Sequence, residues 1–352
     1  MKKIQDITIR TESVLLKNQE SNVEQRFILR PFKKGDETGM IECIRDEYGN
    51  SYFKKKFYNP DWIIKESTGD NYSFFVVESE SKIAGVMILT FFPGESYIEP
   101  ATQIIKKEFR GYGVSVILTR YIFSIVEQLE PSAIYGLAVT FHDISQKAGN
   151  RLGMTAVGFR LGTFLTSKME NSYVKGRCVK HSEVIMVRAA AKKNAGTVYL
   201  PEDISDFAEK VYKKLGVEFS IVTEGEPQKS VSEERCEFTV TADDVQQFVT
   251  VRLSKTGSDL KEQMKKLIDK YKGNGYWTIQ INLLCDTPAV FKDYDSLREI
   301  GFFFTGLKPL CSDREQFYMQ WIDEWPLIME DYVLTDSFKE VRDEIGKKLR
   351  AL

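Results

Sequence analysis

Residues Glu108 to Ser115 read EFRGYGVS, a turn with two glycines one residue apart, set between a strand-like stretch and a long amphipathic helix. Upstream, Tyr97 to Ile105 reads as a strand. Downstream, Val114, Ile117, Leu118, Tyr121, Ile122, Ile125, Val126 and Leu129 recur at three- and four-residue steps until Pro131 ends the pattern. A strand that turns through glycines into a helix is the connecting unit of a mixed α/β chain. The turn also aims several backbone N–H groups one way, just where a helix dipole begins, which suits a pyrophosphate. A glycine turn with a structural role only is the alternative, and the surrounding elements have to decide.

With 352 residues, 42% of them hydrophobic, the chain is long enough for two domains. Lys+Arg at 49 against Asp+Glu at 51 leaves a net charge of -2, so no overall basic field draws it to nucleic acid or anionic lipid. The longest apolar run, Val114 to Val126, is broken by Arg120, and Asp6 and Glu12 sit where a signal peptide needs an apolar core. A cytoplasmic protein without a membrane partner is expected. The cysteines Cys43, Cys178, Cys236, Cys285 and Cys311 form no CxxC pair, and their odd number suits reduced thiols. His142 and His181 are the only histidines, so no metal site is expected, and no GxSxG elbow points to a serine hydrolase.

Residues 1–24 are polar and patternless, either a loose arm or a short added strand. A strand at Arg26 to Pro31 and a helix over Lys34 to Tyr48 follow. The segment to Trp62 is rich in aromatics, namely Tyr48, Tyr52, Phe53, Phe57, Tyr58 and Trp62, which either pack inward or line a substrate cleft. Strands at Ser73 to Val77 and Ile83 to Phe91 flank a polar hairpin turn and lead to the strand before the glycines. After the long helix come strand Ile134 to Val139, helix Ser145 to Leu152, and strands Ala156 to Phe164 and Val184 to Val187.

That order, with RGYG opening the helix after the fourth strand, resembles the GNAT superfamily of acyl-CoA-dependent N-acyltransferases over roughly residues 25–190. The superfamily's phosphate motif falls on Glu108, Phe109, Arg110, Gly111, Tyr112 and Gly113. Both glycines fit, while Glu108 stands where Gln or Arg is usual. Tyr97 to Thr102, Val139-Thr140 with His142, Ser145 to Lys147 and Leu152 to Met154 are similar to a subgroup with an acid on its fourth strand. The resemblance implies a mixed, mostly antiparallel central sheet flanked by helices. It also implies acetyl-CoA as co-substrate and an amine acceptor.

Direct acyl transfer needs a neutral amine, a polarised thioester carbonyl and a proton for the leaving thiolate. An alkyl amine titrates near 10.4, so a base must take its proton. The resemblance places Glu99 in that role, with Glu95 second; a solvated strand residue or a salt-bridge partner is the alternative for Glu99. A backbone N–H near Ala101 or Thr102 would polarise the carbonyl. The amides from Arg110 through Gly111, Tyr112, Gly113 and Val114 to Ser115 would meet the pyrophosphate, with the Ser115 hydroxyl in support. For the acid, Gly149 stands where many members carry a tyrosine. His142 and Ser145 are then the candidates, each equally a helix cap, with Tyr173 and His181 more remote.

Beyond an Ala-rich linker at Ala189 to Gly196, helix Asp203 to Leu215 and a charged loop lead into a second series: strand 248–253, helix 260–271, strand 277–284, helix 289–300, strands 302–310 and 316–322. This repeats the carboxyl half of the first series, and Val157-Gly158-Phe159 is echoed by Thr305-Gly306-Leu307. The turn there, SKTGSDLKEQ, lacks the glycine pair. The expected organisation is an arm (1–24), an acyltransferase domain (25–192) and a degenerate second GNAT-like lobe (193–352) ending in a helix, as monomer or homodimer. A non-catalytic acyl-CoA sensor is the rival function.

Overall fold

The computed structural model describes residues 1–165, 180–190, 194–225, 235–312, 314–323 and 328–350. Two compact units emerge, one from Met1 to Tyr135 and one from Gly136 onward. The sequence placed a boundary near residue 193. The units part earlier because the strands after Gly136 build their sheet with those of the second series.

The first unit holds β1 (Glu12–Lys17), β2 (Glu24–Pro31), α1 (Glu37–Tyr48), α2 (Pro60–Glu66), β3 (Tyr72–Ser79), β4 (Lys82–Phe91), β5 (Tyr97–Ile105) and α3 (Val114–Leu129); β6 (Ala133–Val139) carries the chain out of it. The strands lie in sequence order and pair antiparallel, except that β5 and β6 run parallel. The amino-terminal segment is therefore an added strand. Its extension also binds α3, through Lys2 N–H to the Leu129 carbonyl at 2.8 Å and the Tyr121 hydroxyl to the Arg10 carbonyl at 2.9 Å.

Alternation along the strands divides the side chains between two faces. Phe74, Val76, Val86 and Ile88 form one core with Met40, Ile41 and Ile44 of α1 and with Tyr52, Phe57 and Ile63. On the other face Phe75 meets Tyr121 of α3, with ring centroids 6.2 Å apart. The stripe read from the sequence of α3 is the buried one: Leu118, Tyr121, Ile122, Ile125, Val126 and Leu129 are all shielded. Six of the sixteen residues of α3 are valine or isoleucine. These are mediocre helix formers at a few tenths of a kcal/mol each, against about 2 kcal/mol for each apolar side chain buried, so packing sustains this helix.

The second unit contains α4 (Ile144–Arg151), β7 (Thr155–Leu165), β8 (Lys180–Ala189), β9 (Asn194–Tyr199), α5 (Glu202–Leu215), β10 (Glu218–Val222), β11 (Glu237–Asp243), β12 (Phe248–Lys255), α6 (Leu260–Lys272), β13 (Thr278–Leu284), α7 (Ala289–Arg298), β14 (Phe303–Lys308), β15 (Gln316–Ile322) and α8 (Asp336–Arg350). Its main sheet runs β8-β7-β14-β15-β13-β12-β11. Part of the expected linker is strand β9, which pairs parallel with β10. Strands β7 and β14 run antiparallel, and Gly158 faces Gly306, the pair that the sequence echo singled out. A Cβ on Gly158 would lie 2.4 Å from the Gly306 Cα, so both positions require glycine for close backbone approach. The carboxyl-terminal helix α8 docks within this unit, burying Phe338, Val341 and Ile345.

Candidate functional site

The glycine turn belongs to the first unit. A 3-10 turn, Lys107–Phe109, precedes it, and α3 begins at Val114 with Gly113 as its N-cap. Gly111 and Gly113 both adopt positive φ, 83° and 77°, which L-residues reach only at a cost. Among the described residues, the N–H groups of Gly111, Tyr112, Gly113, Val114 and Ser115 make no hydrogen bond. The carbonyls of the same turn are engaged: the Asn18 side-chain amide donates to the Arg110 carbonyl at 3.1 Å, and the Gln19 N–H to the Gly111 carbonyl at 3.1 Å. Asn18 is itself fixed, because its Oδ1 accepts the Glu20 and Ser21 amides in the β1–β2 turn. The hairpin thus takes up two acceptors and leaves a run of donors, the polarity an anion requires.

One expectation at this turn needs correction. The Arg110 N–H donates to the Lys107 carbonyl at 3.1 Å because the 3-10 turn closes there, so the run of free amides starts at Gly111. The Arg110 side chain turns away to the Ile105 carbonyl and to Glu47. Lys106 likewise pairs with Glu42, and the Lys107 N–H with Asp46, so α1 carboxylates engage the cationic segment before the turn. What remains for an anion is main chain, with the Ser115 hydroxyl beside it. Glu108 is exposed. The Tyr112 ring packs edge-on to Phe27, at 5.3 Å.

Strand β5 is bulged. Val86 faces Ile104 and Ile88 faces Ala101, so β5 carries one residue more than β4 across this interval. Thr102 sits in the bulge with φ 53°, a strained value for a β-branched residue, costing about 1–2 kcal/mol. The Tyr52 hydroxyl lies 3.0 Å from Thr102 Oγ1 and holds it, which gives one of the sequence-noted aromatics a definite task. Gln103, next in the bulge, donates to the Ser115 carbonyl and to Thr119 Oγ1, tying the strand to the start of α3. On its other edge β5 pairs with β6 only at Tyr97 and Ile98. From Glu99 through Ala101 to Thr102 that edge has left the ladder.

Glu99 is half-buried and stands opposite Thr90, which stands opposite Tyr72. Directly opposed residues share a face, so Glu99 lies on the α1–α2 side, the side that carries the aromatic segment. His142 and Ser145 belong to the second unit, flanking the start of α4. The N-cap there is Asp143, so neither caps the helix. His142 packs edge-on against Phe141, and Ser145 Oγ is buried without a partner. His181 is buried, with Thr140 Oγ1 3.2 Å from its Nδ1. Tyr173 and Cys178 fall outside the described residues. The four described cysteines are free thiols. Burial pushes the Cys43 thiol up to about 12, and burial with the Asp259 carboxylate does the same to Cys236, so neither is primed as a nucleophile. Among the described residues no cluster of ligating side chains suits a metal, and no helix is long and apolar enough to cross a membrane.

The sequence gives no sign of Asn18, Gln103 or Glu47 in this site, because each acts across 12 to 92 positions of chain. No protein-family model matches the chain, and no curated protein does. Solved structures do. An N-acetyltransferase from Staphylococcus aureus is similar to 47% of this chain over 99% of its own, at 13% identity and TM-score 0.39. The ribosomal-protein-S18-alanine N-acetyltransferase of Escherichia coli matches 48% of this chain over 96% of its own, at 11% identity and TM-score 0.37. A structure from Desulfovibrio desulfuricans described as an acetyltransferase of the GNAT family matches 47% over 99%, at 10% identity and TM-score 0.37.

Proposed function

We propose that the first unit binds an acyl-CoA, acetyl-CoA above all, and that its acyl group is transferred to an amine held on the α1–α2 face. The observation that carries this reading is the run of five free amides, Gly111 to Ser115, beside two carbonyls turned away by the Asn18 hairpin. It fits a diphosphate on the main chain and the start of the α3 dipole. The unladdered edge of β5 would take the pantetheine arm as a strand takes a neighbour.

In the proposed reaction the amine nitrogen attacks the thioester carbonyl carbon, a C–N bond forms, and the C–S bond breaks to release the CoA thiolate. Glu99 removes the amine proton, directly or through one water. A peptide N–H at Ala101 or Thr102 donates to the carbonyl oxygen as charge develops there, and the bulge fixes that peptide's direction. The thiolate takes its proton from water.

One observation favours the rival reading of a sensor. Where many GNAT members have a tyrosine this chain has Gly149, and a Cβ there would lie 2.7 Å from the Met186 sulfur, so a side chain fits only if Met186 shifts. Two measurements separate the readings. Acetyl-CoA should raise the melting temperature with increasing concentration, and free thiol should appear when amines are added. Stabilisation without thiol release from any amine would leave the sensor; no stabilisation at all would remove both.

A further inference from the structure

The α1–α2 face carries a cation site. Lys56, in the 3-10 turn Lys55–Tyr58, places its ammonium 4.7 Å from the Tyr72 ring centroid, 5.1 Å from Trp62 and 5.8 Å from Phe57. Its Nζ–H also donates to the Tyr72 hydroxyl at 2.5 Å. Among the described residues no carboxylate pairs with it. The walls are rigid: Phe57 is fully buried, Trp62 meets Phe57 at 5.4 Å and Tyr72 at 5.2 Å, and both Trp62 and Tyr72 pack on Phe74. The occupant is the loose part, since Lys56 is an exposed residue on a short turn. Its neighbour Lys55 is anchored differently, with Nζ 2.6 Å from the Asn50 carbonyl. An ammonium set near the Trp62 and Phe57 rings and bonded to the Tyr72 hydroxyl is placed as an alkylammonium ligand would be.

The cage has a fixed relation to the proposed base. Tyr72, Thr90 and Glu99 form one cross-strand row on the same face of β3, β4 and β5. Two inter-strand steps place Glu99 about 10 Å from Tyr72. We propose that the acceptor is an alkyl diamine or polyamine: one ammonium displaces Lys56 from the cage of Phe57, Trp62 and Tyr72, and the other amine is delivered to Glu99, on the same cross-strand row, for acylation. Lys56 is then an internal stand-in that competes with the acceptor. The inference rests on the acyltransfer reading for its second amine, while the cage stands on its own geometry.

The probes are diaminoheptane, with an amine at each end, and aminoheptane, with one. By calorimetry on the full chain, K56A should bind diaminoheptane three- to thirtyfold more tightly than the parent, and W62L three- to thirtyfold more weakly, with W62F restoring most of the loss. K55A removes the same charge one residue away and should change affinity less than twofold. In the thiol-release assay W62L should lower the ratio of kcat/KM for diaminoheptane over aminoheptane by a similar factor. Diamine affinity unchanged in K56A, or raised equally in K55A, overturns the cage; so does an equal effect of W62L on both amines. Cage-dependent binding with no thiol released from either amine refutes acyl transfer and leaves the cage standing. Acylation of both amines at one efficiency in every variant does the reverse.

Discussion

Each unit contains a pair of parallel strands, and the two pairs are built differently. In the first unit β5 and β6 pair through Tyr97 and Ile98 and then separate. In the second, β12 and β13 stay together for five residues, Phe248 to Arg252 against Thr278 to Asn282. The turns that follow differ in the same sense. Gly111 to Ser115 keep their amides free, whereas α6 begins at Asp259, whose carboxylate accepts the Cys236 N–H at 2.7 Å and the Gln263 side chain at 3.1 Å. That N–H holds the Asp259 carboxyl below its ordinary value, so a negative charge sits at the start of α6. In the second unit the parallel pair is laddered for five residues, and the Asp259 carboxylate is bonded to Cys236 and Gln263 rather than to the first amides of α6.

The largest expected effect tests the first pair. E99Q should lower kcat about 100-fold or more while acetyl-CoA affinity moves little; equal losses in both would make Glu99 a binding residue. Next comes the seam of the second unit. G158V puts side-chain atoms against the Gly306 backbone and should cost about 3 kcal/mol in denaturant unfolding, and a loss below about 1 kcal/mol would mean that β7 and β14 meet less tightly than their backbones indicate.

A third test uses the buried pair Arg30–Asp36, in which two guanidinium nitrogens reach Asp36 at 2.7 and 3.0 Å. Burial disfavours the Asp36 carboxylate, but Arg30 and the Lys33 N–H outweigh it and hold the carboxyl below its ordinary value. Its stabilisation is therefore complete above the unfolded value of about 3.9 and fades as pH falls through the lower folded value. D36N should cost about 2 kcal/mol near neutrality and flatten the fall of melting temperature in acid; parallel curves would exclude this pair as the acid-sensitive element.

Smaller still, N18A removes the donor to the Arg110 carbonyl and should weaken acetyl-CoA binding about fivefold, in line with a loss of about 1 kcal/mol. The smallest expected effect is none. D259S should leave acetyl-CoA stoichiometry and affinity as they are, and a second bound equivalent would show that a single carboxylate, rather than the longer parallel ladder, keeps the ligand from the second unit.

Much of this frame was legible before any coordinates. The period of Val114 to Leu129 gave α3, the limits of β5 were read to the residue, and the echo around Gly158 and Gly306 marked the two residues that face each other. These are local signals, a helical period, a strand between turns and a repeated word. The rest depends on contacts remote in sequence. Nothing near Asn18 shows that it closes on Arg110, and a threonine at positive φ has no signature, because local preference argues against it. The linker hid β9 for a related reason: its residues become a strand only beside β10, about 20 positions later. The aromatic-rich segment was visible as core or cleft lining, but the arrangement of Phe57 and Trp62 with Tyr72 needs the sheet.

The seam between β7 and β14 also decides how this chain can be handled in the laboratory. Residues 25–192 look like a self-sufficient piece to clone, yet ending the chain there strips β7 of β14 and bares an edge strand whose Gly158 was fitted to lie against another backbone. Such an edge invites pairing with any passing strand, so a fragment cut at the apparent linker would be expected to aggregate or pair with itself. For expression, labelling or crystallisation, the shortest safe piece runs past β15.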